Sequence, residues 1–155
     1  MAEPAVTVRN AAKAVVLHDG RVLLQRACWE GQDCYFLSGG GQHSGETLGD
    51  AVRREVLKET GLDVTPERLL WLREYIGANH GSAPEDHRVE AIFLCRPEGD
   101  PNKLGGHAED DVQTGLEWVE LEKVPGLNLL PHGLRPLIAD LAHDEPPTRY
   151  LGDIS

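Results

Sequence analysis

Three observations predict a mixed α/β (α+β) fold, a mixed β-sheet covered on its faces. Short runs rich in Val and Leu are bounded by Gly, Asp and Asn, as strands are. Two stretches, 48–60 and 132–144, carry apolar residues at helical spacing instead. The two kinds of segment interleave along the chain, the order expected when helices pack on a sheet. A length of 155 residues suits one domain, 1–155, with residues 1–6 flexible and 144–155 a C-terminal tail.

In order, AAKAVVLHDGRVLLQRAC reads as a hairpin, because Asp19-Gly20 between two apolar runs is a strong tight-turn signal. CYFLS is a short strand running into a Gly39-Gly40-Gly41 turn. Thr47 and Asp50 predict a capping box for a helix beginning near Leu48, with Leu48, Ala51, Val52 and Val56 as its apolar stripe. Gly61 stands where a helix C-terminus needs positive φ. LLWLREYIG, HRVEAIFLCR and GLEWVEL read as further strands, with Trp71 and Trp118 as core residues. The loops ANHGSAPED and DPNKLGGHAEDD separate them. HGLRPLIADLAHD reads as a helix that tolerates Pro136 only near its first turn. PPTRYLGDIS has two readings, one folding back on its own subunit and one crossing to a neighbour in a homodimer.

Composition narrows the functional classes. A net charge of -11 repels phosphate backbones and anionic lipid, so neither a nucleic acid polymer nor a membrane is expected as a partner. An anionic substrate would need positive charge supplied at its site, and divalent cations are the obvious source. Three cysteines, Cys28, Cys34 and Cys95, form no CxxC pair, which argues against a disulfide framework or zinc site. The seven histidines show no metal-ligand spacing, and His80 and His87 read as loop residues. With neither a signal-like N-terminus nor an apolar run of membrane-spanning length, a cytoplasmic protein is expected.

The segment RREVLKETG carries the chemistry. Glu55 and Glu59 stand four residues apart, so their carboxylates leave one helix face about 40° apart and roughly 5–6 Å between Cβ atoms. Like charges at that spacing destabilise a helix unless a cation lies between them. Mg²⁺ or Mn²⁺ fits, since both take carboxylate, carbonyl and water oxygens. An ordinary solvated helix face is the alternative for the pair taken alone.

The residues Gly40, Glu46, Arg54, Glu55, Val56, Glu59, Gly61 and Leu62 together resemble the Nudix box, G-x5-E-x7-R-E-U-x-E-E-x-G-U with U aliphatic. Lys58 is the one departure, standing in place of the first glutamate of the E-E pair. The box spans 40–62, and the order of elements is similar to a Nudix domain over about 8–143. The resemblance implies a Nudix-type α/β/α sandwich with a mixed β-sheet. It implies hydrolysis, with Mg²⁺ or Mn²⁺, of a pyrophosphate bond in a nucleoside diphosphate linked to another moiety. Such substrates include ADP-ribose-like compounds, nucleotide sugars, dinucleotides and nucleoside triphosphates.

By position, the resemblance makes Glu55 and Glu59 metal ligands, Arg54 the orienting residue, and Glu46 a supporting or further ligand. The carbonyl of Gly39 or Gly40 is a further ligand candidate. The general base would be a box glutamate or one of Glu109, Asp110 and Asp111 in the later loop, with Glu90 a weaker candidate. Arg26 is a candidate for substrate phosphate and Trp29 for stacking on a base. A surface salt bridge is the plain alternative for Arg26, and core or lid packing for Trp29. Lys58 has three readings: it weakens a second metal, points away, or reaches a substrate phosphate. A binding or regulatory module that has lost hydrolysis through Lys58 is the competing class.

Overall fold

A computed structural model describes residues 7–105 and 113–155. Its architecture is mixed α+β, a curled mixed sheet with few helices. Strands β1 (Arg9–His18) and β2 (Arg21–Trp29) form the expected hairpin, closed by Asp19 and Gly20 at φ 50° and 71°. Both turn residues are left-handed, which matches the twist of the flanking strands. β3 (Gln32–Phe36) and β4 (Ser38–Gly41) follow, then helix α1 (Leu48–Thr60). β5 (Val64–Ile76) pairs antiparallel with β6 (His87–Pro97), and β7 (Gln113–Glu120) pairs antiparallel with β2. The chain ends with β8 (Leu129–Leu130), α2 (Arg135–Asp140) and β9 (Arg149–Asp153). Among the described residues the strand order is β8-β3-β2-β1-β6-β5-β9, with β4 on β1 and β7 on β2.

Alternation along β1 sends side chains to two cores. Ala12, Ala14 and Val16 pack with Ala51, Val52 and Val56 of α1. Val15 faces the other way, with Ile92, Trp71 and Ile138 of α2. Each fully buried Val or Ile contributes about 1.5–3 kcal/mol over its exposed state. Both sheet faces are therefore covered, and α1 is clamped against β1 by three small or branched residues.

The ends of α1 are set locally. Thr47 Oγ1 accepts the Asp50 N–H at 3.0 Å, and Asp50 accepts the Thr47 N–H at 3.4 Å. At the other end Gly61, φ 79°, donates its N–H to the Leu57 carbonyl at 2.9 Å.

Two expectations need correction, and two gain detail. The glycines Gly39, Gly40 and Gly41 lie in β4 and pair with β1, so they extend the sheet where a turn was expected. Residues 132–144 form one 3₁₀ turn and a six-residue α2, because Pro136 restricts the helix to start near Arg135. Trp71 is buried as expected, but Trp118 is half-buried and donates to the Pro101 carbonyl at 3.0 Å. The expected tail contains β9, which adds in parallel to β5 of the same chain. Asp153 anchors that strand by accepting from Ile76 N–H and Asn79 Nδ2, both at 3.0 Å. The expectation for residues 1–6 falls outside the described residues.

β4 lies against β1 with little clearance. A Cβ on Gly39 would sit 2.1 Å from the Ala12 carbonyl oxygen, and Gly39 has φ 149°. Gly45, φ 90°, has open space around it. Gly39→Ala should therefore lose about 2–4 kcal/mol of stability in urea unfolding, and Gly45→Ala about 1–2 kcal/mol from backbone strain alone. Equal losses would show that β1–β4 contact does not limit this strand.

Candidate active site

Arg54 joins three pieces of chain. Its Nη2 and Nε donate to the two oxygens of Glu46 at 2.7 and 3.1 Å, its Nη1 to Glu55 Oε1 at 2.5 Å, and Nη2 again to the Gly41 carbonyl at 2.9 Å. The pre-helix loop, α1 and β4 thus share one guanidinium. Glu46 and Glu55 keep only 17% and 13% of their side-chain surface exposed, so solvent screens these pairs less than surface ion pairs. The Arg54 hydrogen bonds, with the His43 N–H at 2.7 Å, hold the Glu46 carboxyl down at about 2. Glu46 in turn raises the pKa of Arg54.

Glu55 lies against β4. A Cβ on Gly40 would come within 2.8 Å of the Glu55 Cδ and 2.9 Å of its Oε2. A side chain there would push the carboxylate away from β4. Glu59 sits one turn on, in hydrogen-bond contact with Glu55, and Gln25 Nε2 donates to its Oε2. Burial, followed by the neighbouring Glu55 charge, lifts the Glu59 carboxyl to about 7 against the opposing pull of Gln25 and Lys13. Gln25 is fully buried on β2, and its Nε2 also donates to Ser38 Oγ at 2.9 Å. Its Oε1 has no hydrogen-bond partner among the described residues.

This donor set fits a hard divalent cation. A cation would relieve the repulsion that raises the Glu59 carboxyl, Gly40 leaves a cradle beside Glu55, and a buried amide oxygen nearby lacks a donor. Among the described residues no three His, Cys, Asp or Glu side chains gather as a metal cluster. The carboxylates that meet are Glu55 and Glu59, while both Glu46 oxygens are turned to Arg54.

The other expected residues are placed as follows. Lys58 is exposed on α1. Arg26 projects from the face of β2 opposite Gln25, beside its cross-strand neighbour Tyr35 and Glu117, and so is not brought to the carboxylate pair. Glu90 is 2% exposed and takes Arg73 Nε at 2.7 Å. Burial alone would raise its carboxyl, but Arg73 brings it below the ordinary range, a poor starting point for a base. Glu109, Asp110 and Asp111 lie outside the described residues, as does the Trp29 side chain. Sequence reasoning missed Gln25 and Lys13; each is a polar residue inside an otherwise apolar strand, and that interruption was the available signal.

A carboxyl whose folded pKa stands above its unfolded value stabilises the fold below the unfolded pKa. That contribution is lost as pH rises through the folded pKa. For Glu59 the window runs from 4.5 to about 7. In EDTA, Glu59→Gln should melt close to wild type at the foot of this window, progressively higher than wild type as pH rises to its top, and by a constant margin above it. A pH-independent difference in thermal midpoint would contradict the burial of this carboxylate.

The model of the NUDIX domain matches residues 7–141. The human 8-oxo-dGDP phosphatase NUDT18 is 34% identical over 91 residues, 59% of this chain and 25% of that protein. An ADP-ribose pyrophosphatase of Methanocaldococcus jannaschii is 28% identical over 118 residues, 76% of this chain and 64% of that protein. The chain thus spans less than two thirds of either relative. Among solved structures, an ADP-ribose pyrophosphatase from Streptococcus suis superposes with TM-score 0.64 at 21% identity, covering 93% of this chain and 99% of that one. A UDP-X diphosphatase superposes with TM-score 0.69 at 18% identity, covering 96% of this chain and 69% of that one; these two likenesses speak to the fold. With the family model matched from β1 into α2 and the Arg54-centred box built as described, the chain belongs to the NUDIX domain family.

Proposed function

We propose that this protein is a Mg²⁺- or Mn²⁺-dependent pyrophosphohydrolase. Its substrate would be a small nucleotide, a nucleoside diphosphate linked to a second moiety, with ADP-ribose-like compounds first. The observation that carries the reading is the half-buried Glu55–Glu59 pair, held by Arg54 and Gln25 against Gly40. The name of the M. jannaschii protein supports the substrate class.

Glu55 and Glu59 would hold the cation, with the Gly40 backbone beside Glu55. When bound, the cation neutralises phosphoryl oxygens and acidifies a water. Arg54 fixes the Glu55 carboxylate, Glu46 fixes Arg54, and Gln25 fixes Glu59, so the ligands are set before substrate arrives. The proton acceptor would be a box glutamate or one of Glu109, Asp110 and Asp111, since Glu90 is committed to Arg73. The competing reading, a binder without turnover, has less support. Lys58 lies exposed and leaves the carboxylate pair intact.

A panel of ADP-ribose, nucleotide sugars, dinucleotides and nucleoside triphosphates tests the proposal, with Mg²⁺, Mn²⁺ or EDTA. Turnover of one class with release of a nucleoside monophosphate, abolished by EDTA, is expected. Arg54→Lys, which keeps the charge and loses the fork, should lower kcat roughly 10- to 100-fold. Metal-independent nucleotide binding without turnover across the panel would overturn the proposal.

A further inference from the structure

Two clefts meet on the face of the sheet that carries Val15 and Ile92. One, about 630 Å³, is bounded by the start of β1 and the loop from Gly40 to Glu46. The other, about 480 Å³, crosses β1, β6 and β5 and includes Phe36, Tyr75, Ile92, Leu130 and His132. Lys13, Arg88 and Glu90 line both. Register explains the grouping: on one face of the parallel β1–β6 pair, Ala11 stands opposite Glu90 and Lys13 opposite Ile92, with Arg88 and Arg9 the next pair along.

Two of these three charges are already engaged. Glu90 takes Arg73 at 2.7 Å, and Arg88 stands 3.2 Å from Asp86, 3.4 Å from Glu90 and 4.8 Å from the Tyr75 ring centroid. Lys13 differs. It is half-buried, and no hydrogen bond or ion pair to its ammonium is present among the described residues. Its stem runs over Gly39, where a Cβ would come within 2.7 Å of the Lys13 Cδ. Glycine at 39 therefore keeps a lane open for this side chain between the metal-binding pair and the second cleft. Its charge is felt by the Glu59 and Glu90 carboxyls, yet among the described residues neither stands in ion-pair contact with it, so its donors stay open to an anion. In a chain of net charge -11, such a cation at the junction of two clefts is placed to receive one.

We propose that Lys13 is a substrate-positioning residue. It binds the phosphoryl group on the nucleoside side of the scissile anhydride, while the nucleoside occupies the cleft beside Tyr75 and the reacting phosphoryl lies at Glu55 and Glu59. This inference rests on the pyrophosphohydrolase reading. An ammonium, unlike the guanidinium of Arg88, acts as a point charge with three rotatable donors and follows a phosphate as it moves.

The test compares wild type, Lys13→Gln and Lys13→Arg in two assays. The first is steady-state hydrolysis, with Mg²⁺, of the compound that the substrate panel identifies. The second is calorimetric binding of α,β-methylene-ADP in EDTA, which keeps both phosphoryl charges and needs no metal. Lys13→Gln should raise KM and weaken metal-free binding each about ten-fold or more, the loss expected from one charge-assisted hydrogen bond. The change in kcat should be smaller, and Lys13→Arg should recover most of the binding. Turnover by wild type with unchanged KM and binding in Lys13→Gln would overturn this inference alone. So would an effect confined to Mn²⁺ affinity, which would make Lys13 a charge balance for Glu59. If wild type turns over no compound of the panel, the hydrolase reading falls and this inference falls with it.

Discussion

The ion pair network of Arg54 is the constraint on which the rest of the site depends. One guanidinium fixes the loop before α1 through Glu46, the helix through Glu55, and β4 through the Gly41 carbonyl. Its five donors in a rigid plane suit this task, whereas a lysine has three donors on a point charge and no planar fork. The cost of gathering carboxylates near β4 is met by that single cation and by partial burial, which strengthens each contact. Capping by Thr47 and Asp50 sets where α1 begins, and so sets which turn presents Glu55 and Glu59 to Gly40.

An acidic protein that takes the proposed anionic substrate must gather positive charge at the site. Surface charge is mostly negative, yet the face of β1, β6 and β5 that borders the clefts carries Lys13, Arg73 and Arg88 against Glu90. Arg73 and Glu90 neutralise each other in the sheet interior and fix the register of β5 on β6. Arg73 also donates to the Ile154 carbonyl at 2.6 Å, so the cleft wall and the end of β9 are tied together. The long-range field of the chain opposes anion approach, and the local field at the junction favours it once the ligand is inside a Debye length.

Local signals were readable and long-range ones were not. The hairpin at Asp19-Gly20 and both ends of α1 follow from residues that set their own backbone angles, and the structure has them as expected. The glutamate pair was legible because four residues is one helical turn. β9 was not, since Arg149–Asp153 has no apolar alternation and is held by Asp153 reaching to Ile76 and Asn79. Gly39 read as a turn because glycine permits turns, and nothing local reveals that Ala12 lies 2.1 Å from where its Cβ would be. Gln25 and Lys13 matter through partners 34 residues and more away or through a cleft, which spacing in one strand does not encode.

The central claim is that Glu55 and Glu59 form a divalent cation site poised by burial. Mn²⁺ binding followed by electron paramagnetic resonance, with no nucleotide present, tests it most directly. Wild type should take up Mn²⁺ at pH 8, lose affinity as the solution falls below about 7 where Glu59 gains its proton, and lose it at every pH in Glu55→Gln. Mn²⁺ affinity in Glu55→Gln equal to wild type would place the cation elsewhere and contradict the account.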